Sequence, residues 1–220
     1  EEGFELAHIV VVSDGSDDET AKKVLSFHSS KIILVNDGVR KGKSSRLNEI
    51  YGSLETDILV QSDADVVFAH PYVIRDLIRP FVAGENVMLT GGNPEPVEAS
   101  TFTERAINST FRAYAQFRVR VREGNNRFSA DGRLLALKCE FAHSIHIPAD
   151  MIANDAYVYY LCKVRGFKYR FVRSAVVKFR SPQTASDHIR QNTRFLSMPY
   201  RMSAYFPSSL IQKEEHIPLG

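Results

Sequence analysis

Residues 7–12 (AHIVVV) form a β-branched run that stops at Ser13-Asp14-Gly15-Ser16. A short apolar run closed by turn residues predicts a buried parallel strand. Ser16 and Glu19 stand at capping-box spacing, so a helix through about Ser29 is expected next. Residues 31–35 predict a second strand. In residues 43–54, Leu47, Ile50, Tyr51 and Leu54 fall on one helical face. Residues 57–62 predict a third strand. Pro71 suits the first turn of a helix running to about Ala83. Residues 87–90 predict a fourth strand, closed by Gly91-Gly92.

The second half is less regular. Residues 101–123 predict a long helix, although Arg118-Val119-Arg120-Val121-Arg122 alternates with strand period. Residues 133–138 predict a short strand, and residues 154–166 a helix ending at a glycine cap. Residues 168–179 predict a strand and residues 183–197 a helix. No internal repeat or low-complexity linker interrupts the pattern. The alternation is that of an α/β domain, a mostly parallel sheet flanked by helices. Ligands of such sheets bind beyond the carboxyl ends of the strands. Ser13-Asp14-Gly15-Ser16 and Asp63-Ala64-Asp65 both fall at that edge.

Composition narrows the picture further. The 220 residues suit one domain, with 44% hydrophobic and 25% charged residues, as in an ordinary globular protein. A net charge of +2 gives no bulk electrostatic case for nucleic acid. Cys139 and Cys162 have no metal-ligand spacing and suggest a reducing compartment. No apolar run approaches the roughly 20 residues that span a bilayer. The start, Glu1-Glu2-Gly3, lacks a basic leader segment and an initiator Met. The first strand follows almost at once, so the chain reads as a fragment of a longer protein.

Candidate chemistry begins with Asp63-Ala64-Asp65 after an apolar strand. On extended backbone two such carboxylates point to one side and can hold a hard divalent cation together with substrate phosphates. Gly42-Lys43-Ser44 is not a phosphate loop, because Gly38 lies four residues before Gly42 where five are needed. Lys41, Lys43 and Arg46 either bring positive charge to a diphosphate or form a solvated helix start. Asn154-Asp155 opens a helix, as a cap or as a general base. Gln191, Arg194 and Phe195 are helical neighbours suited to a phosphate and a ring. Seven arginines lie between Arg105 and Arg133. They form a solvated face or contact an anionic lipid or substrate. His143 and His146 have helical metal spacing but no evident third ligand.

In order, these motifs resemble the family 2 glycosyltransferases of GT-A fold. The match reads Val11-Val12-Ser13-Asp14-Gly15-Ser16, then Gly42-Lys43-Ser44-Ser45-Arg46-Leu47-Asn48 beside the family's G-K-x-x-A-L-N. It continues with Asp63-Ala64-Asp65, with Asn154-Asp155 for Glu-Asp, and with Gln191-x-x-Arg194-Phe195 for Q-x-x-R-W. The resemblance implies a Rossmann-like GT-A fold over residues 1–200, with a nucleotide-binding half at 1–92, an acceptor half at 93–200, and a tail at 201–220. It implies a metal-dependent inverting transfer from a UDP-sugar to an acceptor hydroxyl, in polysaccharide or glycolipid synthesis.

Residue by residue, Asp14 would meet the uracil, and Lys43 and Asp63 the donor. Asp65 and Asp63 would hold Mg²⁺ or Mn²⁺, and Asp155 would be the catalytic base. Gln191 and Arg194 would stabilise the leaving diphosphate, and Phe195 would line a channel for a carbohydrate or lipid-linked acceptor. The family's first strand is missing, so residues 7–12 are expected to lack a neighbour on one side and the fragment alone to fall short of full activity. The resemblance also implies a cytoplasmic protein at the inner face of a membrane, touching it through missing flanking segments. Two rival readings are a catalytically silent sugar-nucleotide-binding scaffold and a nucleotidyltransferase.

Overall fold

A computed structural model describes residues 3–83, 86–196 and 198–216, with side chains 194–199 outside the description. Seven strands and ten α-helices are distributed along the described residues. The strands are β1 (Ile9–Val12), β2 (Ile32–Val35), β3 (Ile58–Ser62), β4 (Val66–Phe68), β5 (Val87–Pro96), β6 (Leu134–Lys138) and β7 (Lys168–Phe179). The helices that matter most are α2 (Lys43–Gly52), α5 (Phe102–Arg120), α7 (Asn154–Val164) and α8 (Ala185–Leu196).

The α/β class with flanking helices stands, but the sheet is mixed and divided. β1 and β2 pair in parallel as a two-stranded sheet, while the other strands run in the order β3-β6-β5-β7-β4. β6 is antiparallel to both β3 and β5, β5 is parallel to β7, and β4 is antiparallel to β7. The reversed β6 thus separates β3 from β5, two strands that share a direction. Among the described residues β1 pairs only with β2, as expected for a strand lacking one neighbour. It is not the buried strand its sequence suggests, because Ile9 and Val10 are 46% and 49% exposed.

Strand periodicity places a core on each face of the large sheet. Along β6, Leu135 and Leu137 join one cluster with Leu47, Tyr51, Phe141, Tyr159 and Tyr160. The alternate residues, Leu134 and Ala136, join another with Val73, Leu77, Phe81 and Val177. Each fully buried leucine contributes about 2 kcal/mol of transfer free energy. The first cluster takes in side chains of both α2 and α7, and the Ser44–Asn154 hydrogen bond joins their N-terminal turns.

Several expected elements shift. No capping box forms at Ser16, because the first helix begins only at Thr20, where Asp18 Oδ1 accepts the Thr20 N–H at 3.0 Å. Pro80 divides the expected helix after Pro71 into Val73–Ile78 and Pro80–Ala83. Gly91 and Gly92 continue β5 rather than end it. A Cβ on Gly91 would stand 2.2 Å from Tyr169 Oη, and one on Gly92 would stand 2.8 Å from Ala175 O. Here glycine permits close approach to β7.

A capping box does form at α5, where Thr101 Oγ1 accepts the Glu104 N–H at 3.1 Å. The arginine-rich segment is mostly solvent-facing: Arg105, Arg112, Arg120 and Arg122 are exposed, and Arg127 and Arg133 are half-buried. Arg118 is fully buried, donating to Asn93 Oδ1 at 3.0 Å, while Arg122 pairs with Glu214, Arg127 with Glu215 and Arg133 with Asp131. No helix among the described residues is long and apolar enough to cross a membrane.

Candidate active site

The site is built around the first turn of α2. Gly42 precedes it at φ 85°, ψ 155°, a backbone setting that suits glycine. This geometry turns two backbone donors onto Asp14, at the end of β1. Lys41 N–H reaches Oδ1 at 2.7 Å, and Gly42 N–H reaches Oδ2 at 2.9 Å. One residue on, Lys43 Nζ reaches Asp63 Oδ1 at 2.5 Å, at the end of β3. Ser44 Oγ lies 3.0 Å from Met151 O and 3.1 Å from Asn154 Oδ1, at the start of α7. Asn48 exchanges two 2.8 Å hydrogen bonds with the Ile147 backbone and holds the loop before α7. One helical turn therefore touches three separate stretches of chain, and its free N–H groups favour an anion.

Arg46 is the buried brace of this turn, 4% exposed. Its Nε donates to Asp14 Oδ1 at 3.0 Å, Nη1 to Asp37 and Glu49, and Nη2 to Asp37 and Val39 O. Burial works to raise the Asp14 pKa, but the Lys41 N–H, Arg46 and the Gly42 N–H outweigh it and hold the carboxyl below its usual range. Hydrogen bonds from Arg46 and Lys41 lower Asp37 as well.

Asp155 stands at the start of α7. Its Oδ2 accepts the Gly132 N–H at 3.1 Å, and its Oδ1 accepts the Ala156 N–H at 2.8 Å. A Cβ on Gly132 would meet Asp155 Oδ2 and Lys43 Nζ at 3.7 Å each, so this ammonium and carboxylate border the same spot. Burial raises the Asp155 pKa, and the Asp131 charge adds to it; the two backbone N–H groups and Lys43 only partly oppose this. A carboxyl in that condition is suited to proton transfer.

The other expected residues divide. Asp63-Ala64-Asp65 lies in the turn between β3 and β4, not on extended backbone, so strand alternation does not align the two carboxylates. Asp63 is engaged with Lys43, whereas Asp65 is exposed and has no partner among the described residues. No group of three or more His, Cys, Asp or Glu side chains gathers as a metal site among the described residues, His143 and His146 included. A cation here would take oxygen from Asp65 and Asp63 and the rest from a phosphate-bearing ligand, which suits a hard divalent ion. Gln191 lies in α8 and makes no hydrogen bond to the cluster. Arg194 and Phe195 belong to the same helix, but their side chains lie outside the described residues.

Asp131 is a site residue that the sequence reading passed over. It accepts Arg133 N–H at 3.0 Å and Arg133 Nη1 at 2.7 Å, and the Arg133 guanidinium lies 3.9 Å from the centre of the Phe179 ring. An Asp-Gly dipeptide directly before a strand was the available signal. A separate groove of about 470 Å³, lined by Asp76, Arg79, Pro80 and Arg170, includes none of these residues.

Residues 3–144, more than half of the chain, match the model of glycosyl transferase family 2. No curated protein is similar enough in sequence to count as a relative. Among solved structures, the chain is similar to a mannosyltransferase from Pyrobaculum calidifontis in complex with GDP-Man and Mn²⁺. The TM-score is 0.69 and the identity 18%, over 97% of this chain and 61% of that one. It is also similar to glucosyl-3-phosphoglycerate synthase from Mycobacterium tuberculosis in complex with Mn²⁺, UDP and phosphoglyceric acid. There the TM-score is 0.61 and the identity 16%, over 92% of this chain and 69% of that one. The chain thus spans 61% of the length of the mannosyltransferase. The shared architecture is the GT-A fold.

Proposed function

Because the chain belongs to glycosyl transferase family 2, we propose that it carries the donor site and base of a metal-dependent, inverting glycosyltransferase using a UDP-sugar. The observation that supports this is the gathering of Asp14, Asp63 and Asp155, from three distant stretches, around the first turn of α2. Asp14 meets the donor base. Lys43 and the N–H groups of α2 lie against the diphosphate. Asp65 and Asp63 would hold Mg²⁺ or Mn²⁺, which when bound would supply positive charge to the phosphate oxygens.

In the reaction, an acceptor hydroxyl oxygen forms a bond to the anomeric carbon as the bond from that carbon to the diphosphate oxygen breaks. Attack opposite the leaving group inverts the configuration. Asp155 takes the hydroxyl proton, and its raised affinity for protons suits that transfer. Lys43 offsets charge that grows on the departing UDP. The two similar solved structures hold different nucleotides, GDP-Man in one and UDP in the other, with phosphoglyceric acid also bound in the second. The acceptor here is a carbohydrate or lipid-linked hydroxyl, and synthesis of a polysaccharide or glycolipid at a membrane's inner face is the setting this reading favours.

The test is titration of the chain with UDP, with and without Mn²⁺. Mn²⁺ should tighten UDP binding about tenfold or more, and Asp65→Ala should remove that gain while leaving metal-free binding intact. Binding indifferent to Mn²⁺ would reject the metal assignment.

A further inference from the structure

We propose that Arg46 sets the choice of donor base by occupying one oxygen of Asp14, so that the site takes a base offering one N–H and rejects guanine. This rests on Asp14 being the group that meets the base. A carboxylate has about four acceptor positions, two on each oxygen. Oδ1 already holds the Lys41 N–H at 2.7 Å and the Arg46 Nε–H at 3.0 Å. Oδ2 holds the Gly42 N–H at 2.9 Å and, among the described residues, retains a single open position.

Arg46 cannot swing aside to free Oδ1. A guanidinium has five N–H donors, and each has an acceptor here. Nε meets Asp14, Nη1 meets Asp37 Oδ2 at 3.0 Å and Glu49 Oε2 at 3.1 Å, and Nη2 meets Asp37 Oδ1 and Val39 O at 2.6 Å each. The side chain is 5% exposed. Asp14 is thus clamped from its own protein before any ligand arrives.

A uracil ring presents one N–H between two carbonyls, and one open oxygen position satisfies it. Guanine presents two parallel N–H groups, which a carboxylate receives one on each oxygen. With Oδ1 filled, the guanine amino group enters the site without an acceptor. A donor desolvated and left unpaired weakens binding, and sites discriminate most strongly in that way.

The experiment compares UDP, GDP and inosine diphosphate by calorimetric titration of the chain with Mn²⁺. Inosine diphosphate has guanine's ring size and ring N–H but lacks the amino group. The proposal expects it to bind about tenfold more tightly than GDP, with UDP also ahead of GDP. Equal affinity for the two purines would mean that size alone decides, and would overturn the proposal. So would GDP binding tightest. Arg46→Met should bring the two purines within about twofold, with folding checked by circular dichroism. Arg46→Lys, which keeps a cation but no Nε–H, serves if the methionine variant does not fold. An undiminished preference in a folded variant would also overturn the proposal. If none of the three nucleotides binds, the donor-site reading of Asp14 itself fails, an outcome distinct from nucleotide binding without the expected order.

Discussion

Lys43 Nζ lies 2.5 Å from Asp63 Oδ1, joining the first residue of α2 to the turn after β3 across twenty residues of chain. Both side chains are substantially exposed, at 52% and 33%. Water therefore screens the pair, and its contribution to stability is about 0–1 kcal/mol. Its position matters more than its strength, because the same ammonium also borders Asp155.

Lys43→Met should accordingly leave thermal stability almost unchanged and weaken UDP affinity about tenfold. Differential scanning fluorimetry and calorimetric titration of one preparation measure both. A large fall in Tm with unchanged UDP affinity would make Lys43 a structural residue instead.

The Asp155 carboxyl works as a base only when deprotonated. Burial and the Asp131 charge raise its pKa, so activity is present above that value and lost as pH falls through it. The acid limb of kcat/KM should lie above the ordinary aspartate value of about 3.9. Asp131→Asn removes the neighbouring like charge and should move the limb to lower pH. A limb that stays in place or moves upward in this variant would refute the coupling.

Glu104 tests the same linkage in the scaffold. Ser100 Oγ donates to its Oε2 at 2.6 Å, the Ser100 and Thr101 N–H groups add to this, and Arg180 pairs with Oε1 at 2.9 Å. The Ser100 hydroxyl leads these partners, which together outweigh burial and lower the pKa from 4.5 to about 2. The stability it contributes is present above 4.5 and disappears as pH falls towards about 2. Tm measured against pH should fall across that window, and the fall should be shallower in Glu104→Gln.

Gly91→Ala probes the close contact of β5 with β7. The added methyl would meet Tyr169 Oη at 2.2 Å, where that hydroxyl donates to Ser129 O at 2.7 Å. Overpacking here should destabilise the protein by about 2 kcal/mol, lowering Tm by about 6 °C. An unchanged Tm would show that Tyr169 yields freely.

Local chemistry carried much of this fold to the reader of the sequence. The 168–179 strand coincides with β7, and α7 begins at Asn154 as its sequence suggests. What escaped depends on partners far away in the chain. Gly91-Gly92 looks like a strand end until Tyr169 is seen against it. The reversed β6 follows from pairing with β3 and β5, which short-range periodicity does not encode. Asp63-Ala64-Asp65 stands out by spacing, yet its turn geometry sets Asp63 against Lys43 and leaves Asp65 exposed. Arg46 stands where the resembling pattern has alanine, and nothing near it in sequence announces its bond to Asp14, 32 residues earlier. Asp131 escapes notice because its effect on Asp155 passes from the turn before β6 to the first turn of α7, 24 residues later.

The most direct measurement is release of UDP from a UDP-sugar by the protein and by Asp155→Asn, with UDP affinity determined for both. The account predicts a fall in kcat of about 10³-fold in the variant, with UDP affinity within about twofold of the parent. Equal turnover by the two proteins would contradict it.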